Sequence, residues 1–144
     1  MFSNFYHAPF KVENTVYQTS EQYYQSKKGE HFHDDISTRK ILLQSDPLEC
    51  MTMGQRIKGF KESEWLKVDR KYMMEGNMAK FSQNPMLKAA LLATGEKTLA
   101  ESSAKDAYKG TGKSFHNKTA FSDWHGLNHH GKGLMLIRQR LHEA

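Results

Sequence analysis

A chain of 144 residues with 38% hydrophobic residues suits one domain with a real core, and its longest strongly apolar run, Ala89 to Ala93, is far too short to span a membrane. The start "MFSNFYHAPF" lacks the basic and apolar regions of a signal peptide, and the lone Cys50 excludes an internal disulfide or a Cys-based zinc site, so a soluble, cytoplasmic protein is expected. With 21 Lys and Arg against 16 Asp and Glu, the charge of +5 favours phosphate-bearing partners, although charge alone defines no site.

In chain order, "PFKVENTVY" (residues 9 to 17) alternates about Glu13-Asn14 and predicts a short β-hairpin. Thr19 then caps a helix, with Gln22 three residues later completing a capping box and Glu21 in the first turn. A second helix is predicted over Asp34 to Gln44, and a third begins at Pro47 with Asp46 as its cap. Glu62 to Gln83 reads as one long helix with Trp65, Val68, Tyr72 and Ala79 on one side. Asn84-Pro85 restarts the chain into an apolar helix ended by Gly95, followed by "KTLAE" as a buried strand. Ser102 to Gly133 has the composition of a long functional loop, and "GLMLIRQRLHEA" closes the chain as a helix with Leu134, Ile137 and Leu141 toward the core.

Three clusters invite a functional reading. "GTGKS" (Gly110 to Ser114) resembles part of a phosphate loop, but position 107 is alanine where the pattern needs glycine, and a flexible basic loop is the better reading. "HFHDD" (residues 31 to 35) and the pair His129-His130 match no metal spacing, so no metal is expected, and Asp34 and Asp35 suit helix capping. In the late loop, Lys105, Lys109, Lys113, Lys118 and Lys132 interleave with Tyr108, Phe115, Phe121 and Trp124. That mixture suits either phosphate contact with base stacking or a long loop anchored by its aromatic residues.

The feature that most needs explaining is "YQTSEQYYQSKK", residues 17 to 28. Glu21, Tyr24, Gln25 and Lys28 fall at i, i+3, i+4 and i+7, where a surface helix usually carries apolar residues. Spacing alone is satisfied by a structural reading, with Glu21 serving the helix dipole and Lys28 the helix C-terminus.

The motifs "FSNFY", "YQTSEQYYQSKK", "MGQR", "MAKF", "LLATGEKTLAE", "DAYKGTG" and "GLNHHGKGLMLIR", in this order over nearly the entire chain, resemble the NADAR superfamily. That family includes N-glycosidases acting on riboflavin-biosynthesis intermediates and ADP-ribosyl-guanine glycohydrolases. The resemblance implies a helix-rich α+β single domain of the YbiA-like type with a small β-sheet. It implies an N-glycosidase that uses no metal or redox cofactor and breaks a ribose C1 to nitrogen bond, and the basic balance with the Lys/aromatic loop makes ADP-ribosylated guanine in nucleic acid the expected substrate, with release of ADP-ribose. The same chemistry on a phosphoribosyl-pyrimidine, or a module that binds ADP-ribose without cleaving it, are the alternatives.

By the same resemblance Glu21, Lys28 and Asp106 are catalytic candidates. Ser3, Asn4, Phe5, Gln25, Arg56, Trp65, Gly110, Trp124 and Asn128 are substrate-binding candidates. A carboxylate at Glu21 would stabilise positive charge at C1, and a neutral Lys28 amine, desolvated and near other cations, could form a Schiff base with the opened sugar. Three departures from the family bear on substrate identity. Only Met1 and Phe2 precede Ser3 where relatives carry a strand; Lys109 replaces a tryptophan; and the loop from Gly112 to Gly126 is longer than the family's glycine-rich turn.

Overall fold

The computed structural model describes residues 1–99 and 129–143. Its contacts divide the chain into two compact units, Met1–Ala89 and Ala90–Ala144. Among the described residues there are seven helices and one two-stranded antiparallel sheet, a helix-rich α+β fold. No helix there is long and apolar enough to cross a membrane.

The hairpin forms as its sequence predicts, with β1 (Phe10–Val12) pairing β2 (Thr15–Tyr17) in the register Phe10 to Tyr17. Glu13 takes the positive φ of 56° that a two-residue hairpin turn demands. Gln83 covers the outer edge of β1: its Oε1 accepts from the Lys11 N–H and its Nε2 donates to the Lys11 carbonyl, both at 2.7 Å. A side-chain amide there occupies backbone groups that would otherwise form an open sheet edge.

Helix α1 (Ser20–His31) begins at Thr19, whose Oγ1 accepts from the Gln22 N–H at 3.1 Å. The other half of the capping box differs from expectation. Gln22 Oε1 reaches one residue further back, to the Gln18 N–H, and its Nε2 donates to the carbonyls of Ile41, Leu42 and Gln44. One buried amide thus ties the start of α1 to the C-terminal carbonyls of α2 (Asp35–Leu42), which have no partner within their own helix. Asp34 caps α2 through the Ser37 N–H and also accepts from the Lys58 N–H. These hydrogen bonds, led by those from Ser37, hold its carboxyl below the usual range. Asp34 is therefore the capping residue its sequence context suggests, and no group of three or more metal-ligating side chains exists among the described residues. Asp46 caps α3 (Pro47–Gly54), with Pro47 in the first turn.

The long helix expected over Glu62 to Gln83 is instead two. A single turn, α4 (Glu62–Trp65), is separated from α5 (Asp69–Gln83) by a turn at Leu66 to Val68. The buried face of α5 also differs from the apolar stripe: it consists of Asp69, Gly76, Asn77, Lys80 and Phe81. Tyr72 and Ala79 remain only partly buried against the cluster of Phe10, Tyr17 and Tyr23. A break before Asp69 lets Trp65 lie flat on Tyr72, with ring centroids 5.7 Å apart and 15° between planes.

Gly76 is the close-approach point between α1 and α5. A Cβ there would stand 2.6 Å from Cδ1 of the fully buried Tyr23 ring. Alanine gains about 1 kcal/mol in helix propensity, but forcing the ring aside costs about 1–3 kcal/mol. Gly76→Ala is accordingly expected to lower unfolding free energy by about 1 kcal/mol net. Equal or greater stability in urea titration would show that the ring yields freely.

Helix α6 (Pro85–Ala93) follows Asn84 as expected. The strand expected at "KTLAE" is absent in its described part. The Lys97 N–H instead closes a turn on the Thr94 carbonyl, and Lys97 and Thr98 are exposed. Ala100 and Glu101 lie outside the described residues. Helix α7 (His129–Glu143) starts four residues earlier than the loop assignment allowed, and it buries Leu134, Ile137 and Leu141.

Candidate active site

Helix α1 buries a polar face. Glu21 is 3% exposed and Gln25 is 4% exposed, while Lys28 is half-buried one turn further on. Gln25 Nε2 donates to Glu21 Oε1 at 3.2 Å, and Lys28 Nζ donates to the Gly54 carbonyl at 3.2 Å. The Lys28 ammonium also stands 4.9 Å from the centroid of the Phe60 ring. A carboxylate, an amide and an amine predicted from spacing thus share one face against the C-terminus of α3. A solvated helix surface would leave Glu21 and Gln25 exposed, so the stripe faces protein groups and not water, with Glu21 in the first turn of α1 and Lys28 in the last.

Gly54 lies hard against α1, because a Cβ there would overlap the Gln25 carboxamide. Gln25 Oε1 is buried and has no hydrogen-bond partner among the described residues. An orphaned buried acceptor is costly, which marks this contact as one kept for something other than stability. Gly54→Ala is expected to push the carboxamide off Glu21 and reduce turnover on the order of 10²-fold, as for a misplacement of about 1 Å at a reacting group. Unchanged kcat/KM in that variant would show that Gln25 need not sit where it does.

Trp65 enters the same region through Tyr24. Its Nε1 donates to the Tyr24 hydroxyl at 2.9 Å, and that hydroxyl donates to Asp69 Oδ2 at 3.2 Å. Burial, with the charge of Asp69 behind it, raises the Tyr24 pKa and keeps the phenol protonated as a donor. Asn4 is buried beside the first turn of α1, where its carbonyl accepts the Glu21 N–H at 3.0 Å. Ser3 is exposed, with its carbonyl accepting from Lys80 Nζ at 2.8 Å, and Phe5 is half-buried. Arg56 is exposed two residues beyond Gly54. Asp106, Gly110, Trp124 and Asn128, with "GTGKS" and all the late-loop lysines and aromatic residues except Lys132, lie outside the described residues.

Sequence reasoning missed Asp69, Asn77 and Lys80. The signal is present: polar residues recur on α5 at helical spacing, as they do on α1, although the other side of that segment is the more apolar. The second unit carries a separate open cleft between Leu92, Gly95, Glu96, Met135, Arg138, Gln139 and His142, lined by none of the predicted site residues.

The family model for the NADAR domain matches residues 1–142. An N-glycosidase of Acanthamoeba polyphaga mimivirus is 34% identical over 96% of this chain and 86% of its own length. The N-glycosidase YbiA of Escherichia coli is 35% identical over 97% of this chain and 80% of its own. A riboflavin biosynthesis protein of Vibrio vulnificus is 33% identical over 98% of this chain, which spans only 35% of that protein. The NMR structure of Escherichia coli YbiA superimposes with a TM-score of 0.81 over 99% of this chain and 77% of that one, at 34% identity. The agreement of family model, relatives and fold over the same residues shows that this chain belongs to the NADAR family.

Proposed function

We propose that the protein is an N-glycosidase that hydrolyses a ribose C1 to nitrogen bond, and that its substrate is ADP-ribose attached to guanine in DNA. The observation that carries the reading is the hydrogen-bonded face of Glu21, Gln25 and Lys28. Cleavage of an N-glycosidic bond builds positive charge at C1, and a buried carboxylate stabilises that charge more strongly than an exposed one. Glu21 takes this role, and Gln25 steers its Oε1 edge.

Lys28 supplies the covalent route. Its carbonyl and aromatic contacts both suit an ammonium, so substrate displaces them as the amine loses its proton to become a nucleophile. As the ring opens, the C1 to O4 bond breaks, O4 takes the proton given up by Lys28 and C1 becomes a protonated imine of the base nitrogen. The neutral amine adds to C1, the bond from C1 to the base nitrogen breaks, that nitrogen takes one amine proton and leaves as a neutral amino group, and a protonated Schiff base links Nζ to C1. Water then adds to C1, the C–N bond to Nζ breaks, and free ADP-ribose and the lysine amine are regenerated. Asp106 is assigned to ribose hydroxyls, and Arg56, Trp65, Trp124 and Asn128 to phosphate and base. A net charge of +5 and the Lys/aromatic composition of residues 102 to 133 support a polyanionic substrate over a small one.

The Vibrio vulnificus relative favours one second reading, the same bond cleavage on a phosphoribosyl-pyrimidine of riboflavin synthesis. Incubation with a guanine-ADP-ribosylated oligonucleotide and, separately, with the phosphoribosyl-pyrimidine discriminates the two. Release of unmodified DNA, falling steeply with added salt, is the expected result. Cleavage of the pyrimidine alone reverses the order, and cleavage of neither removes the enzymatic reading.

A further inference from the structure

Helix α5 buries a polar pair that the chemistry above does not use. Asn77 is 3% exposed and Lys80 is 0% exposed. Asn77 Nδ2 donates to Asn4 Oδ1 at 3.2 Å, and Asn77 Oδ1 accepts from Ser20 Oγ at 2.7 Å. Lys80 Nζ donates to the Ser3 carbonyl at 2.8 Å. The Asn4 carbonyl in turn accepts the Glu21 N–H. That N–H belongs to the first turn of α1 and has no acceptor within its own helix. Two side chains of α5 thus grip Ser3-Asn4 from one side, while the second residue of α1 is bonded to it from the other.

Stability does not account for this arrangement. Among the described residues no carboxylate pairs with Lys80, and burial brings its pKa down to about 8. A buried amine of this kind disfavours the folded state, whereas an apolar residue of similar length would fill the same space without that penalty. Lys80 Nζ also lies 5.9 Å from the Tyr6 ring centroid and 5.2 Å from that of Phe81, so its surroundings are aromatic faces and a peptide carbonyl. What an apolar substitute could not do is bond Ser3.

We propose that Asn77 and Lys80 are positioning residues for Glu21: by fixing the Ser3-Asn4 peptide against the first turn of α1, they fix where the Glu21 carboxylate meets the sugar. The inference rests on the N-glycosidase reading for its catalytic consequence, but its structural half stands apart from that reading. Asn77→Ala, Lys80→Met and Asn4→Ala in the full chain test it by two readouts. The first is backbone amide exchange at Glu21, followed by NMR. The second is kcat and KM on whichever N-glycoside the wild type cleaves. Glu21 exchange about tenfold faster in each variant, with kcat about tenfold to 10²-fold lower and KM within about twofold, is the expected result.

Unchanged Glu21 protection overturns the proposal, as does faster exchange with unchanged kcat. A borohydride-trapped sugar on Lys80 in place of Lys28 also overturns it, because Lys80 would then be the nucleophile. Should Lys80→Met fail to fold, Asn77→Ala and Asn4→Ala decide, since they open the same grip from its other contacts. A wild type that cleaves no N-glycoside removes the proposed function and leaves amide exchange alone to decide whether the grip holds Glu21.

Discussion

Replacing Lys28 with alanine is expected to lower turnover on the order of 10³-fold or more and to abolish any borohydride-trapped enzyme-sugar adduct, because it removes the amine proposed as the covalent nucleophile. Glu21→Gln should cost about 10²- to 10³-fold, the range for losing one electrostatic partner of the transition state. The glutamine carbonyl can still accept from Gln25 Nε2, so this loss reports charge rather than geometry. Trapping should persist in the Glu21 variant and vanish in the Lys28 variant. A Lys28→Ala enzyme with intact turnover, together with no trapped adduct in the wild type, would sink the covalent route. If Glu21→Gln were inactive at the same time, direct attack by water on a carboxylate-stabilised sugar cation would replace it.

The second large effect is on stability and follows from Lys80. Its folded-state pKa of about 8 lies below the unfolded value of 10.5. Between those values the unfolded chain binds more protons, so this group makes stability rise with pH from about 8 to 10.5 and imposes its full penalty below 8. The difference corresponds to about 3 kcal/mol. Lys80→Met should therefore stabilise the protein at pH 7 by roughly 2 kcal/mol, after about 1 kcal/mol is deducted for the lost bond to Ser3.

Other groups oppose the rise at high pH. Burial pushes the Cys50 thiol up to about 12 and also raises Tyr17, Tyr23 and Tyr24, and each of these makes stability fall as the unfolded group ionises first. The clean measurement is thus the difference between variant and wild type in urea titrations from pH 7 to 10. That difference should shrink as pH rises, and a pH-independent difference would contradict the assignment. A variant more stable yet slower than the wild type would show directly that the buried amine is kept for the placement of Glu21.

Much of this architecture could be read one segment at a time. Thr19, Asp34 and Asp46 cap the helices they precede, Glu13-Asn14 turns the hairpin, and Pro47 and Pro85 open helices, because each signal is satisfied by atoms within a few residues of itself. The polar face of α1 was legible for the same reason, since helical periodicity is local and Glu21, Gln25 and Lys28 stood out at positions where apolar residues belong. Family resemblance then attached a chemistry to those three residues.

What depended on distant partners was not legible. The break before Asp69 follows from the packing of Trp65 on Tyr72, and the course of Gln22 follows from the end of α2 lying beside the start of α1. "KTL" has strand-like composition, but the turn that closes α6 reaches into it, with the Lys97 N–H bonded to the Thr94 carbonyl, a contact set by where the helix ends and not by the composition of the segment. Asn77 and Lys80 carried the same periodic signal as the α1 face. Their role became visible only when Ser3 and Asn4, more than seventy residues away in sequence, were brought against them. The sequence by itself determined the starts of the first three helices and of α6, the hairpin, the family and the three polar residues of α1. Only the tertiary structure decided which polar groups are buried together, because burial is a property of the neighbours that folding supplies and not of any single segment.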